Sequence, residues 1–224
     1  MPIRHAVAVT LLSVSTLLAG SAAQAQAASV SAPVSAPASA PASAPELPAW
    51  LRRGLPNAGH EAIASLAGTW KVRMGVYATL GRSPDAPPLV TDDMVTRREW
   101  VGGGRYLEDT TEGTLEGHRY WRRGWLGYNT MDRAYEWVTI DASNAVMMIY
   151  AAPKASGPQR TINLFGSFTD QGVSGEAYAG KSVGMRTLIR IESPDRHTIE
   201  LYLTPPGARE QLATRAVYVR ATPS

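Results

Sequence analysis

The sequence predicts an all-β protein, a single antiparallel β-barrel of about ten strands. Three observations predict it. From Trp70 onward, apolar and polar residues alternate with a period of two. Turn signals such as Gly102-Gly103-Gly104, Glu116-Gly117, Ser156-Gly157-Pro158 and Pro205-Pro206-Gly207 separate the alternating runs at near-regular spacing. No later stretch has the helical periodicity that a crossover between parallel strands requires, which argues against an α/β fold. Closing such strands into an up-and-down barrel removes their exposed edges.

The chain opens with segments outside that pattern. Met1 to Ala27 has the layout of a secretory signal peptide. Arg4 and His5 precede the apolar run Ala6 to Leu18, and small residues follow at Ala23, Ala25 and Ala27. The apolar run is shorter than a transmembrane helix needs. Ser21 stands where a lipoprotein signal would need its acylated cysteine, so no membrane anchor is expected. The protein is expected to be exported, periplasmic or secreted. Four tetrads then end at Pro33, Pro37, Pro41 and Pro45. Proline at every fourth position stops helices and removes strand donors, and Ser and Ala bury little. Residues 28–58 are therefore expected to be a disordered Ser-Ala-Pro linker, with irregular chain from Pro48 to Gly59 and Trp50 and Leu51 available to dock. The barrel domain is expected over residues 59–222.

Within the domain, Ile63, Leu66 and Ala67 share one face of about two helical turns from His60 to Ala67, which Gly68 ends. The first strand follows, with Trp70, Val72, Met74 and Val76 on its apolar face. Further strands are expected at Thr91–Trp100, Gly104–Thr111, Arg119–Tyr128, Ala134–Ile140, Ala145–Tyr150, Thr161–Phe168, Gly175–Tyr178, Met185–Glu192, Thr198–Leu203 and Gln211–Arg220.

Composition excludes several functions. The chain has no cysteine, hence no disulfide, thiolate metal site or cysteine nucleophile. The net charge of +3 includes Arg4, so the domain holds too little excess charge for a nucleic-acid partner.

Several stretches resemble a known family. His60-Glu61 leading to Leu66-Ala67-Gly68-Thr69-Trp70-Lys71 resembles the opening of DUF1579, a family of uncharacterised bacterial proteins in the calycin, or lipocalin-like, superfamily. Trp100 to Glu108, Leu126 to Asn129 leading to Trp137 and Asp141, and Met185-Arg186 through Tyr202 fit the same pattern. The resemblance spans roughly Gly59 to Arg220. It implies a lipocalin-like barrel with a ligand cavity and no established activity. Gly68 and Trp70 also match the short lipocalin signature. There the Trp closes the barrel floor and a late Arg packs across it, here Arg215 or Arg220.

Other motifs lack their structural context. Gly175 to Ser182 matches the phosphate-loop pattern, but strand periodicity follows where a helix is needed. Gly180 to Gly184 matches the nucleophile elbow around Ser182, with Asp195 and His197 following in hydrolase order, yet no strand–turn–helix is visible. His118 or His197 could serve as an axial haem ligand, with nothing to mark either. The pairs Asp92-Asp93 and Glu108-Asp109 alternate across strand faces and do not converge. No metal site and no cofactor are expected.

In the stretch Arg119 to Trp125, residues Arg119, Trp121, Arg123 and Trp125 share one face, and Tyr120, Arg122 and Leu126 share the other. The favoured reading is a carrier for a small apolar or amphipathic ligand. Trp100, Trp121, Trp137, Met148, Tyr150 and Tyr202 would line its interior, and Arg123 or Arg186 would hold a polar end. The alternatives are an envelope interaction module with a filled barrel and, more remotely, a hydrolase or a haem-binding barrel.

Overall fold

The computed structural model describes residues 46–83 and 85–222. The signal peptide, the four tetrads and the last two residues lie outside these residues. Two short helices, α1 (Ala49–Arg53) and α2 (Ala58–Ala62), and a 3₁₀ turn (Ala64–Leu66) lead into ten strands. These are β1 (Gly68–Val76), β2 (Leu89–Val101), β3 (Tyr106–Leu115), β4 (His118–Asn129), β5 (Ala134–Asp141), β6 (Met148–Ala151), β7 (Thr161–Thr169), β8 (Ser182–Ser193), β9 (Arg196–Thr204) and β10 (Gln211–Arg220). Each strand pairs antiparallel with its neighbour in sequence, and β1 pairs with β10, so the sheet closes as a ten-stranded up-and-down barrel.

Alternation sets which side chains enter the barrel. On β1 the inward set is Trp70, Val72, Met74 and Val76, all buried. On β4 it includes Tyr120, Leu126 and Tyr128, while Arg119, Trp121, Arg123 and Trp125 face out. The thinnest part of the wall is at β6, which makes four residue pairs with β5 and two with β7.

Three expectations need correction. The segment placed in the linker contains α1, which the Arg105 side chain ties to the barrel through the Gly54 carbonyl at 2.7 Å and Thr130 through the Arg53 carbonyl at 2.7 Å. Trp50 does not dock; it is 67% exposed. The strand expected at Gly175–Tyr178 is a 3₁₀ turn, Glu176–Tyr178, inside the β7–β8 loop. Its short apolar–polar alternation loses to turn chemistry. The Asp170 carboxylate accepts the N–H groups of Gly172, Val173 and Ser174 at 2.7–3.0 Å and curls the chain before it can extend.

Candidate functional site

The two ends of the barrel differ. At the closed end, α2 and the 3₁₀ turn lie across the floor, and Trp70 is fully buried beneath them. Its indole N–H donates to the Leu66 carbonyl at 2.9 Å. Of the two candidate late arginines, Arg220 lies over the Trp70 ring, at 4.3 Å from its centroid, and donates to the carbonyls of Ala67 and Ser65. Arg215 instead pairs with Glu200 on the outer face. Gly68 is required beside them. Its φ is +115°, and an added Cβ would meet an Arg220 guanidinium nitrogen at 2.6 Å.

Above the floor lies a buried polar cluster. Arg98 Nε donates to Asp109 Oδ2 at 2.6 Å, and Arg122 Nη2 donates to Asp109 Oδ1 at 2.9 Å. Burial alone would raise the Asp109 carboxyl, but Arg122 and Arg98 outweigh it and hold the group below the usual carboxylate range. Arg98 Nη1 lies 2.8 Å from His197 Nε2. An arginine can only donate, so Nε2 accepts and the imidazole proton sits on Nδ1, which is buried without a partner. Burial, reinforced by Arg98, Arg220 and Arg122, depresses His197 to about 2, so it stays neutral. Its ring stacks on Tyr218 and meets Trp70 edge-on, both at 4.3 Å.

This removes the catalytic and haem roles considered for His197. Its accepting nitrogen is already used. Ser182 lies at the other end of the barrel, because β8 runs nine residues from Ser182 to Ile191, the partner of His197, or about 30 Å at strand rise. His118 is exposed at the start of β4. The phosphate-loop match fails too: Lys181 leads straight into β8, with its ammonium over the Tyr178 ring.

Toward the open end the interior holds a cavity of about 100 Å³. Its apolar wall includes Met74, Val76, Leu115, Trp137, Ile199 and Leu201. Its polar lining includes Tyr120, Arg122, Asp141, Asn144 and Tyr150. Gly124 is required where β5 packs closely, since a Cβ there would meet the Val138 carbonyl oxygen at 2.6 Å and the Trp137 Nε1 at 3.0 Å. Burial pushes the Tyr150 phenol up to about 12, against the opposing pull of the Thr187 and Thr139 hydroxyls. Burial also raises the Asp141 carboxyl. Three loops meet around the mouth: Thr79 donates to the Val173 carbonyl, and the Gln171 amide bonds the Ala145 N–H and the Ser143 carbonyl.

The sequence-predicted residues separate on this geometry. Trp137, Met148 and Tyr150 line the cavity. Trp100 faces inward but sits near the floor, 6.3 Å from the His60 ring. Trp121 and Arg123 are on the outer face of β4. Arg186 is outside as well, paired with Glu210 and lying 4.0 Å over the Tyr202 ring, so Tyr202 is outside too. Choosing Trp121 and Arg123 as interior residues chose the wrong face of β4. The interior arginine is Arg122, and the signal was its parity with Leu126 and Tyr120. Asp109 and Asp141 were also missed as interior groups, because isolated acids on alternating strands look like solvated ones.

Among the described residues, no group of acidic and histidine side chains is arranged to hold a metal, and no helix is long and apolar enough to cross a membrane. No curated protein matches the chain. Among solved structures, a protein designated EF1p2_mFAP2b, solved bound to DFHBI, aligns at 11% identity over 73% of this chain and 99% of its own, with a TM-score of 0.37. A redesigned β-barrel aligns at 12% identity over 72% of this chain and 96% of its own, with a TM-score of 0.34. Likenesses this distant carry no functional argument. The model of one family, described as a protein of unknown function, matches residues 55–220, so most of the chain lies within that match and the protein belongs to the DUF1579 family.

Proposed function

We propose that the protein is exported and binds a small amphipathic molecule non-covalently, with the molecule's polar head inside the barrel. Export rests on the signal-peptide layout of Met1 to Ala27. Binding is supported by one observation above all: the barrel interior keeps a cavity whose wall mixes apolar side chains with polar ones, Arg122, Asp141 and Tyr120 among them. An apolar pocket with a few convergent polar groups is the usual form of a small-molecule site. Trp137, Met148 and Tyr150 supply the apolar and aromatic wall, and Arg122 supplies the polar anchor.

Size limits the ligand. At about 100 Å³ the cavity is smaller than the roughly 150 Å³ that encloses a benzene molecule, and far below the roughly 300–1,000 Å³ of pockets for drug-sized molecules. Only a head group fits inside, so the remainder leaves through the mouth between the loops.

Native mass spectrometry of protein purified from its own cells tests this, with Ala216→Leu as comparison. Ala216 lines the cavity, and three added carbons would occupy it. A reproducible extra mass on the wild type that is lost in the variant is expected. A bare wild-type mass in repeated preparations overturns the carrier reading and leaves the filled-barrel module in its place.

A further inference from the structure

Arg122 and Asp141 are direct neighbours across β4 and β5, both turned into the cavity, yet no ion pair joins them. Arg122 leans the other way, to Asp109 on β3, with further bonds to Thr111 and Tyr218. Those bonds use Nε and Nη2 and leave Nη1 without a protein acceptor. Asp141 Oδ1 accepts the Ser143 N–H at 2.6 Å, and hydrogen bonding from Asn144 further weakens the rise of the carboxyl. Trp137 Nε1 and Asn144 Oδ1 are also without partners, but neither has surface that a ligand in the cavity could reach.

The cavity wall thus sets a donor, Arg122, beside an acceptor, Asp141, with no ion pair between them. A primary carboxamide is a small neutral head group that meets both, because its carbonyl accepts and its NH₂ donates. Charge points the same way. Arg98 and Arg122 balance Asp109 and Asp141, and His197 is neutral, so a fully charged head would unbalance a buried cluster that a neutral one leaves intact.

We propose that the cavity selects a ligand ending in a primary carboxamide, with its carbonyl toward Arg122 and its NH₂ toward Asp141. This rests on the ligand-binding reading above and narrows it to one chemical class. Asp141 is what sets the preference. A carboxylate head would face Asp141 oxygen to oxygen, and an ammonium head would face Arg122.

The test is calorimetric titration of wild-type protein and of Asp141→Asn with hexanamide, hexanoate and hexylamine, which share a tail and differ in the head. Wild type is expected to bind hexanamide at least about tenfold more tightly than either charged analogue, the worth of one charge-assisted hydrogen bond. In Asp141→Asn, which removes one negative charge without changing shape, the preference is expected to move toward hexanoate. If hexanoate or hexylamine binds wild type as tightly as hexanamide, the carboxamide assignment fails while the binding reading survives. If Asp141→Asn leaves the order of the three unchanged, Asp141 is not the selecting group and the assignment also fails. If none of the three binds and native mass spectrometry finds no ligand, both fail together.

Discussion

Asp109 and Asp141 both point into the barrel, and both lie beside Arg122, but their environments drive them in opposite directions. Asp109 is buried with two guanidinium groups bonded to it, and its carboxyl is held down. Asp141 is half-buried, bonded by Ser143 and Asn144 with no ion pair, and burial pushes its carboxyl up. The first arrangement joins β2, β3 and β4 through paired charges, although Arg98 Nη2 and His197 Nδ1 stay buried without partners. The second leaves an acid on the cavity wall with no cation bonded to it. A charged group that faces a cavity without a bonded counter-ion is available to a partner molecule. The comparison therefore separates the structural half of the interior from the half available for function.

The largest expected effect breaks the structural half. Asp109→Asn leaves Arg98 and Arg122 buried without their counter-charge, at a cost of about 3–5 kcal/mol, a large share of the roughly 5–15 kcal/mol that holds a domain folded. Urea denaturation with wild type alongside measures it. The wild type carries a matching pH signature. A carboxyl lowered in the folded state contributes stability above its unfolded value, near pH 4, and that stability is lost as pH falls further. In Asp109→Asn this part of the acid dependence is expected to disappear. An undiminished denaturation midpoint would mean that Asp109 does not hold the cluster together.

Next in size is the floor. Gly68→Ala places a Cβ against the Arg220 guanidinium at a backbone angle that alanine rarely adopts. A loss of about 1–3 kcal/mol is expected. The thermal midpoint should fall with no change in the cavity's ligand preference, because Gly68 lies at the far end of the barrel.

Asp141→Asn should act in the opposite sense to Asp109→Asn. A carboxyl raised in the folded state favours folding only while it is protonated, below its unfolded value near pH 4, and opposes folding as pH rises through its folded value. Removing it should therefore stabilise the protein at neutral pH by on the order of 1 kcal/mol. The gain should shrink to nothing as pH falls toward 4. Denaturation midpoints at neutral and acid pH check this, and a loss of stability at neutral pH would mean that Asp141 has a structural partner after all.

The same contrast explains how much could be read in advance. The barrel was legible because strand alternation and turn residues are local, and Gly68, Trp70 and a late arginine sit at a fixed place in the register. Trp137, Met148 and Tyr150 were legible as inward residues from parity alone. The charged cluster was not. Arg98 and Asp109 face each other across the β2–β3 hairpin, but His197 on β9 reaches them only when the barrel closes. Arg122 was legible in face but passed over in favour of Arg123, because the neighbouring tryptophans made the outer face look like a site.

The smallest expected effects fall on that outer face, where a null result carries the information. Arg123 has an exposed side chain on β4 with no ion pair among the described residues, and Arg123→Ala should change stability by less than about 0.5 kcal/mol. Arg186→Ala gives up the Glu210 pair and the contact with Tyr202. That pair is partly exposed, so up to about 1 kcal/mol is expected. Neither change should alter the affinity for hexanamide, since both side chains are separated from the cavity by the sheet itself. Arg122 and Arg123 are consecutive, share their chemistry, and differ only in the side of the wall they occupy. Weakened hexanamide binding in Arg123→Ala would place the ligand on the outside of the barrel, and the interior assignment of Arg122 and Asp141 would fall with it.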